Sequence, residues 1–97
     1  MKELQRLQQW YASQCDQDWE HSFGVKIDTL DNPGWIVQID LTDTDLASHP
    51  FVAFSRGDSE AEADWIHCKA ECDQFIGTGG AGNLVEIVET FLTWAAR

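Results

Sequence analysis

The sequence predicts a single α+β domain, in which one antiparallel sheet of four to five strands carries an N-terminal and a C-terminal helix on one face. Apolar and polar residues alternate in the middle of the chain, and amphipathic helical patterns occupy its two ends. A chain of ninety-seven residues with five Trp and five Phe is large enough to form one packed core but not two. The predicted order is α-β-β-β-β-α, with residues 1–97 forming one domain.

The first helix is predicted over residues 2–13. Leu4, Leu7 and Tyr11 follow helical spacing, and polar side chains occupy the opposite side. No Gly or Pro interrupts this stretch, and we expect the helix to end near Cys15.

A β-hairpin is predicted next. Apolar residues alternate from Phe23 to Ile27 in its first strand and from Trp35 to Leu41 in its second. Between the strands, Pro33 suits position i+1 of a type II turn. Gly34 would then occupy position i+2, where this turn needs a positive φ.

Two further strands follow a polar connection over Thr42–Pro50. One is predicted over Phe51–Ser55 and the other over Asp64–Glu71, with Gln74–Ile76 extending the sheet. The residues between the two strands, Arg56–Ala63, are rich in acids and are expected to form an exposed loop.

A flexible loop over Gly77–Gly82 is expected to lead into the C-terminal helix. Asn83 is placed as its N-cap, and Glu86 follows three residues later, as in a capping box. The glycines also match G-x-G-x-x-G, but a dinucleotide fold needs a further parallel strand and an acid about 20 residues on. Only fifteen residues follow Gly82, so phosphate binding is not predicted.

Charge restricts the class of partner. Seventeen acidic against six basic residues give a formal net charge of −11. This charge argues against nucleic acid, whose phosphates need Lys and Arg, and against an anionic membrane surface. A basic protein partner is the natural complement, and the alternative is that the acids only keep the chain soluble.

Cysteine usage and hydropathy predict a cytoplasmic protein. No segment approaches the roughly 18 apolar residues of a membrane span, and the N-terminus lacks the apolar centre of a signal peptide. Cys15, Cys68 and Cys72 cannot all pair within one chain, which favours reduced thiols. His67 and Cys68 would point to opposite faces of a strand, so no metal site is predicted.

The segment before the hairpin combines acids, an aromatic and an imidazole. Asp18, Glu20 and His21, near Asp16, could in principle serve as the acid–base group of a small hydrolase. The alternative is that these are surface carboxylates with ordinary pKa values. Trp19 beside them could anchor a protein partner, or it could close the end of the sheet.

Several stretches resemble one known family. The stretch LQQWYASQCDQDWEHSFGVKIDTLDNPGW (residues 7–35), followed by a strand ending in IDL, is similar to the immunity protein 53 family of bacterial polymorphic-toxin systems. The later DWIHCK (64–69), the pattern F-x-G-x-G-G at Phe75–Gly80 and the closing amphipathic helix are similar too. The resemblance covers nearly the whole chain and is densest between Trp10 and Trp35.

This resemblance implies a cytoplasmic inhibitor, not an enzyme, that binds and neutralises a cognate toxin domain. We expect that domain to be basic, the inhibitor to be a monomer or a weak homodimer, and no cofactor or metal to be needed. The alternatives are the small hydrolase and a generic protein-interaction module. The predicted partner-binding residues combine the segment before the hairpin with acidic loops: Asp16, Asp18, Trp19, Glu20, His21, Asp43, Asp45, Asp58, Glu60, Glu62, Asp64 and Trp65.

Overall fold

A computed structural model describes residues 2–97 of the chain. The helices are α1 (Lys2–Gln14), the single turn α2 (Trp19–Ser22) and α3 (Leu84–Ala95), and a 3₁₀ turn covers Asp45–Ser48. The strands are β1 (Val25–Leu30), β2 (Gly34–Asp40), β3 (Phe54–Arg56), β4 (Ile66–Glu71) and β5 (Gln74–Gly80).

The five strands form one antiparallel sheet in the order β1-β2-β5-β4-β3, which confirms the predicted α+β class. The last strand of the chain, β5, lies between β2 and β4. This insertion brings the first hairpin and the later strands into a single sheet. It also leaves β1 and β3 as the two edges.

Helix α3 packs on the sheet, and α1 packs on α3. Paired residues of neighbouring strands share a face, so Val37, Phe75 and Cys68 lie in the layer between the sheet and α3, with Ile87 and Phe91 opposite them. All five are almost fully buried. Burying an apolar side chain of this size contributes about 1.5–3 kcal/mol, and this layer is therefore the main source of stability. No helix among residues 2–97 is long and apolar enough to cross a membrane.

The turn of the first hairpin differs from the predicted type II turn. Asp31–Pro33 forms the connection, with a cis peptide bond between Asn32 and Pro33. Gly34 does not take a positive φ and is instead the first residue of β2, where it pairs with both Leu30 and Gly80. A Cβ at Gly34 would lie closer than 3.0 Å to the backbone oxygen of Gly79. Close approach of two strands therefore explains this glycine.

The predicted loop over Gly77–Gly82 is also wrong for its first four residues, since Gly77–Gly80 belongs to β5. Gly77 faces α3, and a Cβ there would lie closer than 3.0 Å to Cγ2 of Ile87. The missing side chain lets α3 approach the centre of the sheet. Glycine was mistaken for a loop signal because local patterns do not show which element will pack against a strand.

The third strand begins three residues later than predicted, at Phe54. Phe51 leaves the sheet because its ring turns into the core, 5.6 Å from the ring of Phe75 and 5.1 Å from that of Trp94. Strand β4 likewise begins at Ile66, two residues after the predicted start. Packing of the Phe51 ring in the core thus shortened the edge strand β3.

The predicted capping box of α3 does not form. Asn83 precedes the helix as expected, but its side chain makes no capping bond to the backbone. Its Nδ2 instead donates to Oδ1 of Asp64 at 2.8 Å and to Oε1 of Glu86 at 3.2 Å. Asn83 therefore connects the β3–β4 loop to α3.

Candidate functional site

The acidic segment before the first strand is a hydrogen-bonded knot. Oδ1 of Asp16 accepts from the backbone N–H groups of Asp18 and Trp19 at 3.0 and 2.9 Å. The Glu20 carboxylate reaches back to the N–H groups of Asp16 and Gln17 at 3.0 and 2.9 Å. The two carboxylates thus satisfy the free donors at the start of the α2 turn, as capping side chains do.

These bonds set the protonation of both carboxylates. Hydrogen bonds from the N–H groups of Trp19 and Asp18 lower the pKa of Asp16. The backbone N–H of Glu20 itself, followed by those of Asp16 and Gln17, lowers the pKa of Glu20. Each bond favours the charged form, so both groups are held as acceptors. A general acid needs the opposite shift.

Acidification should therefore weaken the fold through this knot. In the unfolded chain the carboxylates of Asp16 and Glu20 take up protons near pH 4, whereas in the folded chain they do so only at lower pH. The stabilisation by these hydrogen bonds is therefore complete above that range and is lost as the pH falls through the lowered pKa values. We expect Asp16→Asn/Glu20→Gln to reduce the loss of stability below about pH 5, since neither replacement titrates. Urea unfolding at several pH values, followed by tryptophan fluorescence, measures the effect.

The matched control is Asp18→Asn, because the Asp18 carboxylate makes no capping bond. It should leave the dependence of the unfolding free energy on pH close to that of the wild type. An equal change in the control and in the double variant would contradict a specific role for the knot.

Trp19 lies inside this knot and faces inward. Its side chain is only 5% exposed, and its Nε1 donates to the carbonyl of Thr42 at 2.8 Å. Its ring packs against Trp10, Tyr11 and Phe23 at centroid distances of 6.0–6.1 Å. It therefore joins α1 to the chain that leaves β2. Contact between Trp19 and a partner stays a prediction, but the side chain that would make it is buried.

The predicted acids occupy two separate ends of the sheet. The end from which β1 starts carries Asp16, Asp18, Glu20, His21, Asp43 and Asp45, which we call the Asp16 end. The Gly24 N–H donates to Asp40 Oδ2 at 2.9 Å, which joins the start of β1 to the end of β2. Of these six residues, Glu20 is half-buried and the others are exposed.

The other four acids, Asp58, Glu60, Glu62 and Asp64, lie at the opposite end, which we call the Asp58 end. The N–H of Gly80, at the finish of β5, donates to the carbonyl of Trp65 at 3.1 Å and places their loop there. Strand β5 separates the ends, and its seven residues span about 20 Å. The predicted acids therefore do not form one continuous surface.

Hydrogen bonds also differ between the ends. At the Asp58 end, Arg56 donates to Asp64 at 2.7 Å and to Glu86 of α3. A hydrogen bond from Asn83, followed by that from Arg56, lowers the pKa of Asp64. Trp65, which was predicted to bind a partner, is buried, with only 7% of its surface exposed. Sequence reasoning missed Arg56, although it stands at the start of the predicted acidic loop.

The carboxylates of Asp18, Asp43 and Asp45 accept no side-chain hydrogen bond and join no ion pair within residues 2–97. Of the predicted partner-binding acids, only these three and Glu60 lack such a bond within the described residues, and three of the four lie at the Asp16 end. Across the described part of the chain, no three His, Cys, Asp or Glu residues are grouped as metal ligands would be. Burial raises the pKa of Cys68 to about 12, which keeps its thiol protonated.

The fold and the site define a small acidic α+β domain in which three of the four unpartnered acids among the predicted partner-binding residues lie at one end of a single sheet. The sequence matches the model of the family described as immunity protein 53 over residues 4–96, and the chain therefore belongs to that family. This match confirms the resemblance and supports an immunity-protein role. No curated protein and no solved structure matches the chain.

Proposed function

We propose that this protein binds a cognate toxin domain directly and neutralises it, acting as a cytoplasmic inhibitor and not as an enzyme. The observation that carries the proposal is the family match over residues 4–96. The net charge of −11 supports a basic toxin as the partner, because opposite charge speeds encounter and disfavours like-charged competitors. A stable complex would bury about 800 Å² on each partner.

We assign the first encounter to the Asp16 end. Asp18, Asp43 and Asp45 are exposed there and have no internal partner, so a basic surface can approach them without breaking an existing bond. At the Asp58 end, three of the four carboxylates are bonded internally, and only that of Glu60 is not. Asp58 accepts from the Glu60 N–H, Glu62 accepts from the Asp58 N–H, and Asp64 is bound to Arg56.

Co-expression tests the proposal. The toxin would be the variable C-terminal domain of a large secreted protein encoded beside this gene. Cells that express this domain alone should stop growing, and cells that also express the inhibitor should grow. The purified pair should elute as one complex. Growth arrest that persists despite soluble inhibitor would contradict the proposal.

Salt dependence of the association rate should reveal the steering charge. We expect the rate to fall at least about tenfold between low and physiological ionic strength, because exposed charges are screened beyond about 8 Å at 0.15 M salt. Asp18→Asn/Asp43→Asn/Asp45→Asn should slow association at low salt and flatten its salt dependence. Stopped-flow mixing with the toxin domain measures both quantities.

The matched control makes the same charge change at the other end, as Asp58→Asn/Glu60→Gln/Glu62→Gln. Its association rate should stay much closer to that of the wild type. A wild-type rate that is indifferent to salt would count against steering altogether. Equal slowing by the two triple variants would show that only net charge matters and not the Asp16 end.

No observation favours the alternative of a hydrolase that uses Asp18, Glu20 and His21. Glu20 is engaged by two backbone donors, and its pKa is lowered where a general acid needs it raised. Family membership likewise favours toxin neutralisation over a generic interaction module.

A further inference from the structure

The outer edge of the sheet at β3 has free backbone groups in the residues that precede the strand. β3 is an edge strand of three residues, and the residues before it, Phe51, Val52 and Ala53, make no backbone hydrogen bond within residues 2–97. Free N–H and C=O groups of this kind can pair with a strand from another chain. The edge is therefore open to strand addition.

Side chains along this edge favour pairing and do not block it. Val52 is 86% exposed and Phe54 is 42% exposed. No residue between Pro50 and Ser55 is charged, whereas the opposite edge, β1, carries Lys26 and Asp28. Charged residues on an edge strand are the usual protection against unwanted pairing. In β3 only the last residue, Arg56, is charged, and its side chain is held by Asp64 and Glu86.

A groove runs beside this edge, between it and α3. Its volume is about 430 Å³, enough for one or two side chains of a partner strand. Apolar residues of the edge form one wall and α3 forms the other, with Pro50, Val52, Phe54, Glu89, Thr93 and Trp94 among the lining residues. We call this the β3 groove.

Charge decides which occupant fits. Glu86 in the groove wall is paired with Arg56. The exposed Glu89 and Arg97 also line the groove, and neither side chain makes a hydrogen bond or ion pair within the described residues. A second copy of this chain would bring its own net charge of −11 and be repelled. A strand with apolar and basic side chains suits both the exposed apolar residues and Glu89.

We propose that the toxin adds an extended segment to the outer edge of β3, with an apolar side chain in the β3 groove and a basic side chain beside Glu89. This inference rests on the proposed function and identifies the docking site. Backbone bonds to the edge supply affinity in this mode, and the groove supplies specificity. The free carboxylates of the Asp16 end then act on encounter, before docking.

Val52→Lys tests the docking site without disturbing the core, since its side chain is almost wholly exposed. The added positive charge should repel the basic segment, and we expect the Kd for the toxin domain to rise at least about tenfold. Leu4→Lys is the matched control. It changes the charge equally and replaces another exposed aliphatic residue, on α1 and outside the groove, so its Kd should stay within about twofold of the wild type.

Hydrogen exchange supplies a second readout. In the wild-type complex, amide groups within residues 51–56 should gain protection, because strand addition gives them new backbone partners. Tight binding of Val52→Lys, or no added protection at these amides, would overturn the docking site while the proposed function stands. Failure of the wild type to bind the toxin domain would overturn both. A wild-type dimer that Val52→Lys dissociates would assign the edge to a second copy instead.

Discussion

Replacing Trp19 with alanine is expected to lower the free energy of unfolding by about 3–5 kcal/mol, the range for truncating a buried large aromatic residue. The change removes the hydrogen bond from Nε1 to the carbonyl of Thr42 and the ring contacts to Trp10, Tyr11 and Phe23. It leaves a cavity where α1, α2 and the chain after β2 meet. Urea unfolding followed by far-UV circular dichroism measures the loss.

Trp19→Phe is the matched control. It keeps an aromatic ring but cannot donate to Thr42, so we expect a smaller loss of about 1–3 kcal/mol, the cost of a buried polar group without its partner. If Trp19 were mainly an anchor for the toxin, Trp19→Ala would weaken binding and leave the unfolding free energy unchanged. That result would contradict the structural role.

Gly34→Ala should destabilise the sheet by about 3 kcal/mol, at the upper end of the range for overpacking. The added Cβ would meet the backbone oxygen of Gly79, which belongs to the central strand β5 and cannot move aside as a flexible side chain could. Trp65 also lies within 3.3 Å of that Cβ. Thermal and urea unfolding of the variant give the loss directly.

Gly24→Ala provides the comparison, because a Cβ at Gly24 would meet no atom within 4 Å. Its free energy of unfolding should stay within about 0.5 kcal/mol of the wild type or rise slightly, since alanine restricts the unfolded chain more than glycine does. Equal losses in the two variants would show that the cost does not come from close approach of the strands.

Local sequence patterns predicted a helix or strand correctly where the residues of that element themselves carry the periodicity. Alternation located β1 and β2, and helical spacing located α1 and α3 to within one or two residues. They failed at Gly34 and Gly77, where the reason for a glycine lies in a strand or helix far away along the chain. They also failed at Phe51, whose ring left the edge strand for the core.

The candidate site shows the same difference between what local patterns predict and what distant contacts decide. The sequence marked the run Asp18–His21 as unusual, and it left open whether these residues face a partner or tie the first helix to the sheet. Their hydrogen bonds show the structural role, because Asp16 and Glu20 cap a turn and Trp19 is bound to Thr42. Nothing in the local pattern could predict that the acids would divide between two ends.

The sequence by itself determined the α+β class, the membership in the immunity protein 53 family and the acidic charge, since each depends on composition, periodicity or motif. The tertiary structure alone decided which acids lie together and which edge is open. Both follow from the insertion of β5 between β2 and β4, which fixes where every loop emerges. Strand order depends on contacts between residues distant in sequence, and a local pattern does not contain them.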